Sequence, residues 1–99
     1  MQVIFTRLSE RQVADLYEYI ARQTSEARAD TYVARIIAAC EGLATFPKRG
    51  SRRDDLLPGL RTIGFERRVT IAFVVTSEAV LTEGILYGGQ NFEAAFREE

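Results

Sequence analysis

Residues 48–68 hold the side chains best suited to act on an anion. Lys48, Arg49, Arg52, Arg53, Arg61, Arg67 and Arg68 lie there against only Asp54, Asp55 and Glu66, in a chain whose formal net charge is −1. A guanidinium grips phosphate or carboxylate through paired N–H donors and stays charged at any working pH. A cluster of this kind seeks phosphate, an acidic peptide or an acidic protein surface. The plainer alternative is a solvated loop whose arginines serve solubility.

The residues that are missing narrow the chemistry. Histidine is absent, so no side chain titrates near neutrality unless its pKa is displaced. Ser–His–Asp and Cys–His mechanisms are excluded. Cys40 is the only cysteine; it falls in an apolar helical pattern and reads as a buried thiol rather than a nucleophile. A zinc or transition-metal site would need carboxylates alone, so neither metal nor cofactor is expected.

Ninety-nine residues fit one domain, 1–99, with a modest core. The opening apolar run, Val3-Ile4-Phe5, is too short for a signal-peptide core, and no stretch reaches membrane-spanning length. Together with the single cysteine this gives the expectation of a cytoplasmic protein with no membrane partner.

The elements that must carry the cluster follow from periodicity. Val3-Ile4-Phe5 reads as a strand. Ser9 and Gln12 have the spacing of a capping box. Val13, Leu16, Tyr17, Ile20 and Ala21 then predict a helix over 10–23. Ser25 can cap a second helix over 26–45, whose stripe is Ala29, Tyr32, Val33, Ile36, Ile37, Cys40, Leu43 and Ala44, and Pro47 ends it. Tyr17 and Tyr32 fit these stripes as core residues, whereas Tyr19 falls off its stripe and is expected to be an exposed contact residue. Residues 47–60 read as loop, with a tight turn at Pro58-Gly59. Three strands follow: Arg61 to Glu66, Val69 to Val75 and Ala79 to Tyr87. Asn91 can cap a short last helix that sets Phe92 and Phe96 on one face. The expected fold is α+β, in the order β-α-α-β-β-β-α, with an αα-hairpin packed on an antiparallel sheet.

Four ordered segments carry a resemblance. They are Ala14-Asp15-Leu16-Tyr17-Glu18-Tyr19-Ile20, Leu43-Ala44-Thr45-Phe46-Pro47 followed by Gly50, Asp55-Leu56-Leu57-Pro58-Gly59-Leu60-Arg61, and Ile85-Leu86-Tyr87-Gly88-Gly89-Gln90-Asn91. On these the chain resembles the ParE/RelE superfamily of bacterial toxins from type II toxin–antitoxin systems, the ParE branch more closely. The resemblance implies a growth-arresting toxin neutralised by a cognate antitoxin, part of which is disordered when free. In the ParE branch the implied target is DNA gyrase, which is poisoned; in the RelE branch it is mRNA on the ribosome, which is cleaved.

Chemistry weighs these branches. Cleavage through a 2′-hydroxyl needs a base, an acid and charge stabilisation at phosphorus. Arg61 and Arg68 can hold phosphate, and Tyr87, Glu66 and Glu83 are the candidates for proton transfer. Arginine is a poor proton donor, and tyrosine normally titrates near pH ~10. One lysine and a pI near 5.5 also give weak nucleic-acid affinity. The expectation is therefore a non-catalytic toxin. Its target- or antitoxin-binding residues would be Arg52, Arg53, Arg61, Arg67, Arg68, Tyr19 and Tyr87. The alternatives are a ribosome-dependent endoribonuclease and a binding module without toxicity.

Overall fold

The structure, a computed structural model, describes residues 1–88; the expected helix after Asn91 lies outside them. Thr6 begins the first helix. Its backbone is extended, and its hydroxyl accepts from the Ser9 amide at 3.2 Å, so α1 covers Arg7–Gln23. The capping box expected at Ser9 and Gln12 is not formed. Ser9 lies inside the first turn and donates its hydroxyl to the Thr6 carbonyl at 2.9 Å. Gln12 instead reaches the Ile85 amide of the sheet.

Ser25 caps α2, Glu26–Glu41, as expected, accepting from the Arg28 amide at 3.1 Å. The helix stops short of residue 45. Beyond Glu41 the backbone tightens into a 3-10 turn at Gly42–Ala44, which keeps Leu43 on the buried stripe. The two helices pack as the expected hairpin.

The strands are β1 (Gln2–Phe5), β2 (Ser51–Arg52), β3 (Leu60–Phe65), β4 (Val69–Val75) and β5 (Ala79–Tyr87), in the spatial order β1-β5-β4-β3-β2. β3, β4 and β5 form the expected antiparallel meander. The sheet as a whole is mixed, because β1 joins β5 in parallel, with Val3 opposite Val80. The chain between them runs through the helical hairpin and then β2, β3 and β4, ample for the long connection that parallel pairing requires. β2 is a two-residue edge strand within the segment expected to be loop, with Ser51 opposite Thr62. Too short to show a period of two, it left no mark in the sequence.

The hairpin covers one sheet face. Leu16, Ile36, Cys40 and Leu43 meet Val69, Ile71, Phe73, Val80 and Ile85 there. Burial pushes the Cys40 thiol up to about 12, consistent with a packing role. Leu56, Leu60 and Ala72 form a smaller cluster with Leu57 and Val74. Ala72 alternates with the helix-facing Ile71 and Phe73, so this cluster lies on the other face. The Pro58-Gly59 turn sits beside it: Leu60 donates to the Leu57 carbonyl at 2.9 Å, and Gly59 takes φ +82°.

β1 is shorter than β5 and pairs only with Ala79 to Thr82. Past that point Gln12 replaces the missing strand: its Oε1 accepts from the Ile85 amide at 2.7 Å. A buried amide must find a partner. Gln12→Leu is therefore expected to cost about 2 kcal/mol, with faster hydrogen exchange at the Ile85 amide as the specific readout. Among the described residues no helix is long and apolar enough to cross a membrane.

Candidate functional site

The hairpin between β3 and β4 turns on residues that rarely make such a turn. Arg68 donates its amide to the Phe65 carbonyl at 3.2 Å, while Glu66 and Arg67 take φ of 50° and 67°. Two successive left-handed residues suit the twist of a hairpin, but Asn-Gly normally fills them. Tertiary contacts hold the turn instead. Glu66 is ion-paired with Arg35 of α2. The Arg35 guanidinium lies 5.8 Å from the centroid of the Phe65 ring, and Tyr32 meets that ring edge-on at 5.9 Å. The Gly88 amide donates to the Arg68 carbonyl at 2.7 Å, tying the turn to the end of β5. Arg67→Gly is expected to stabilise the domain by about 0.5–1 kcal/mol, because relief of left-handed strain exceeds the added freedom of the unfolded chain. A melting temperature a few degrees higher is the check.

A groove of about 790 Å³ opens between this turn and the junction of the two helices. Tyr19 and Ile20 line it from α1, Arg28, Tyr32 and Arg35 from α2, and Glu66, Arg68 and Tyr87 from the sheet. A second groove of about 500 Å³ continues beside α1 along the part of β5 that β1 leaves uncovered. Tyr19, Arg68 and Tyr87 line both. The Tyr19 and Tyr87 rings are 5.9 Å apart. Burial, and then Tyr87, push the Tyr32 hydroxyl above its ordinary range, while Arg68 and Arg35 oppose the shift. Arg28, Arg35 and Arg68 outnumber the one acid of the first groove, Glu66. The surface thus combines aromatic faces with excess positive charge, which suits an apolar segment bearing carboxylates.

The cation cluster of 48–68 is divided by the fold. Arg61 pairs with Phe73 at one end of β4, and Arg68 precedes Val69 at the other. At the usual strand rise they are about 16 Å apart. Arg52 and Arg53 form ion pairs with Asp54 at 3.0 Å and with Asp55 at 2.8 Å, each two residues on. Arg52, and next the Gly59 amide at 2.8 Å, hold the Asp54 carboxyl below its usual range. These ion pairs brace the edge and the following turn. Arg67 occupies the turn beside the groove.

Of the candidates for proton transfer, Glu66 and Tyr87 line the groove, but Glu83 does not. Glu83 lies at the irregularity where β5 gains a residue between the partners of Ala72 and Phe73. Burial raises its pKa. Among the described residues no three carboxylates or thiols converge to hold a metal.

Tyr19 is 48% exposed, as its place off the stripe implied. Tyr32 packs against the core, as expected, yet also faces the groove. Tyr17 is only half-buried, and its hydroxyl bonds the Asp30 carboxylate across the hairpin, which raises its pKa. Arg28 and Arg35 escaped the sequence reading. Their signal was present: with Tyr32 they recur at helical spacing on one side of α2.

Comparison with known proteins agrees with this architecture. The family model described as ParE toxin of type II toxin-antitoxin system, parDE, matches residues 3–92. A solved structure, described as the chromosomal ParDE TA system from P. aeruginosa, superposes with a TM-score of 0.77 at 21% identity. The match covers 89% of this chain and 96% of that one. No curated protein matches significantly by sequence. With a family model matching nearly its whole length, the chain belongs to the ParE toxin family of type II toxin–antitoxin systems.

Proposed function

We propose that this ParE-family toxin arrests growth by inhibiting DNA gyrase without chemical modification, and that a cognate antitoxin neutralises it by filling the groove around Arg68. The observation that carries the antitoxin reading is the groove itself, with Tyr19, Tyr32 and Tyr87 set among Arg28, Arg35 and Arg68. An antitoxin segment that folds on binding would lay an amphipathic helix there, its carboxylates toward the arginines. The edge strand β1, with Ile4 exposed, suits an added strand from the same segment.

The endoribonuclease reading is less well supported. Its residues do not share one centre: Arg61 and Glu83 lie outside the groove that holds Arg68, Glu66 and Tyr87. Glu66, the acid in the groove, is engaged by Arg35.

The test is induced expression with and without the product of the neighbouring reading frame. Arrest relieved by the neighbour is expected. Purified gyrase with the toxin should then accumulate cleaved DNA complexes, while mRNA in the arrested cells stays intact. Position-specific mRNA cuts with normal supercoiling would replace gyrase by the ribosome. Absence of arrest would leave only a binding module.

A further inference from the structure

The most exposed large apolar side chain among the described residues lies outside both grooves. Phe46, 66% exposed, follows the 3-10 turn at the end of α2. Arg28 lines the groove from the first turn of α2 and Arg35 from just past its middle. From Arg35, the nearer of the two, to Glu41 the helix rise is roughly 9 Å, and Phe46 lies beyond the 3-10 turn that follows.

Phe46 is exposed but held. The Arg49 guanidinium lies 5.7 Å from its ring centroid, and Arg49 Nε donates to the Phe46 carbonyl at 3.0 Å. Gly50, at φ +82°, then presses against β3 so closely that a Cβ would collide with the Thr62 carbonyl and lie 2.6 Å from Ile63 Cγ2. The ring is thus presented on a braced corner, which lowers the entropy lost when it docks.

Its charge environment identifies the class of partner. Lys48 and Arg49 follow after Pro47, and among the described residues neither forms a salt bridge. An aromatic ring with a cationic collar complements an apolar pocket with an acidic rim, and aromatic and arginine anchors dominate protein interfaces. Two local cations on a chain of net charge −1 give little phosphate affinity, which favours protein over nucleic acid.

Resting on the toxin reading above, we propose that the Phe46–Arg49 corner is a second docking surface. It engages an acidic-rimmed apolar pocket on the protein whose inhibition arrests growth, while the antitoxin occupies the groove.

The test compares the full wild-type chain with Phe46→Ser/Arg49→Ser and with the conservative Phe46→Tyr. Growth arrest, melting temperature, antitoxin affinity, and binding to purified gyrase and to a DNA duplex are measured. The double variant is expected to melt within a few degrees of wild type and bind antitoxin within about threefold. It should lose growth arrest and at least tenfold in gyrase affinity, and Phe46→Tyr should retain both. Undiminished arrest by the double variant overturns the proposal. Selective loss of duplex binding assigns the corner to nucleic acid and also overturns it. If wild type arrests growth without binding gyrase, the choice of target fails and arrest by the double variant decides the corner. A wild-type chain that arrests nothing sinks the toxin reading and this proposal with it.

Discussion

Arg68→Glu is expected to weaken antitoxin binding about 100-fold while the melting temperature moves by only a few degrees. Arg68 is exposed and lines both grooves, so any segment laid through them passes it. Its loss removes a charge-assisted hydrogen bond of about 1.5–3 kcal/mol. The glutamate adds repulsion toward an acidic occupant, for a total of about 3 kcal/mol, or two orders of magnitude in Kd. The fold loses little, because what ties Arg68 to Phe65 and Gly88 is its backbone, which substitution preserves. Titration of the neighbouring gene's product at low and high salt is the measurement. The gap should narrow as salt screens the charges. Affinity within threefold of wild type would remove Arg68 from the interface.

Gly50→Ala should instead cost the fold about 3–4 kcal/mol, a fall of roughly 15–25 °C in melting temperature for a domain of this size. An alanine at φ +82° is strained by about 1–2 kcal/mol. Its Cβ would also drive into the Thr62 carbonyl and the Ile63 side chain. Backbone on one side and a packed side chain on the other leave little room to yield, which adds about 1–3 kcal/mol. Gly59→Ala is the control. It has the same φ of +82°, but nothing nearer than Val74 Cγ1 at 3.8 Å, so only the backbone strain should register. Equal losses at the two glycines would show that the close approach of the loop to β3 contributes nothing.

The contrast between these glycines marks how far the sequence could be read. Pro58-Gly59 declares its turn locally, because proline and glycine between apolar runs are a local signal. Gly50 sits in an aperiodic stretch; its role depends on β3, reached only after folding. The same division runs through the helices. Ser25 capped α2 as its position implied, since a cap needs only the next turn. Ser9 and Gln12 had equally good spacing for a cap, but Thr6 took that role and Gln12 was drawn to a β5 amide that no strand covers.

By itself the sequence determined the opening strand, the two helices with most of their buried stripes, the meander and the exposure of Tyr19, but not β2. Each rests on periodicity or on contacts a few residues apart. Tertiary structure alone decided that β1 joins β5 in parallel, and that Arg61 and Arg68 belong to different ends of the sheet. It alone brought Arg28 and Arg35 to Arg68 and Tyr87 around one groove. Charge can be counted along a chain, but a binding surface is charge at a place. Places here are set by which strands pair and where a helix crosses them, through contacts between residues far apart in sequence.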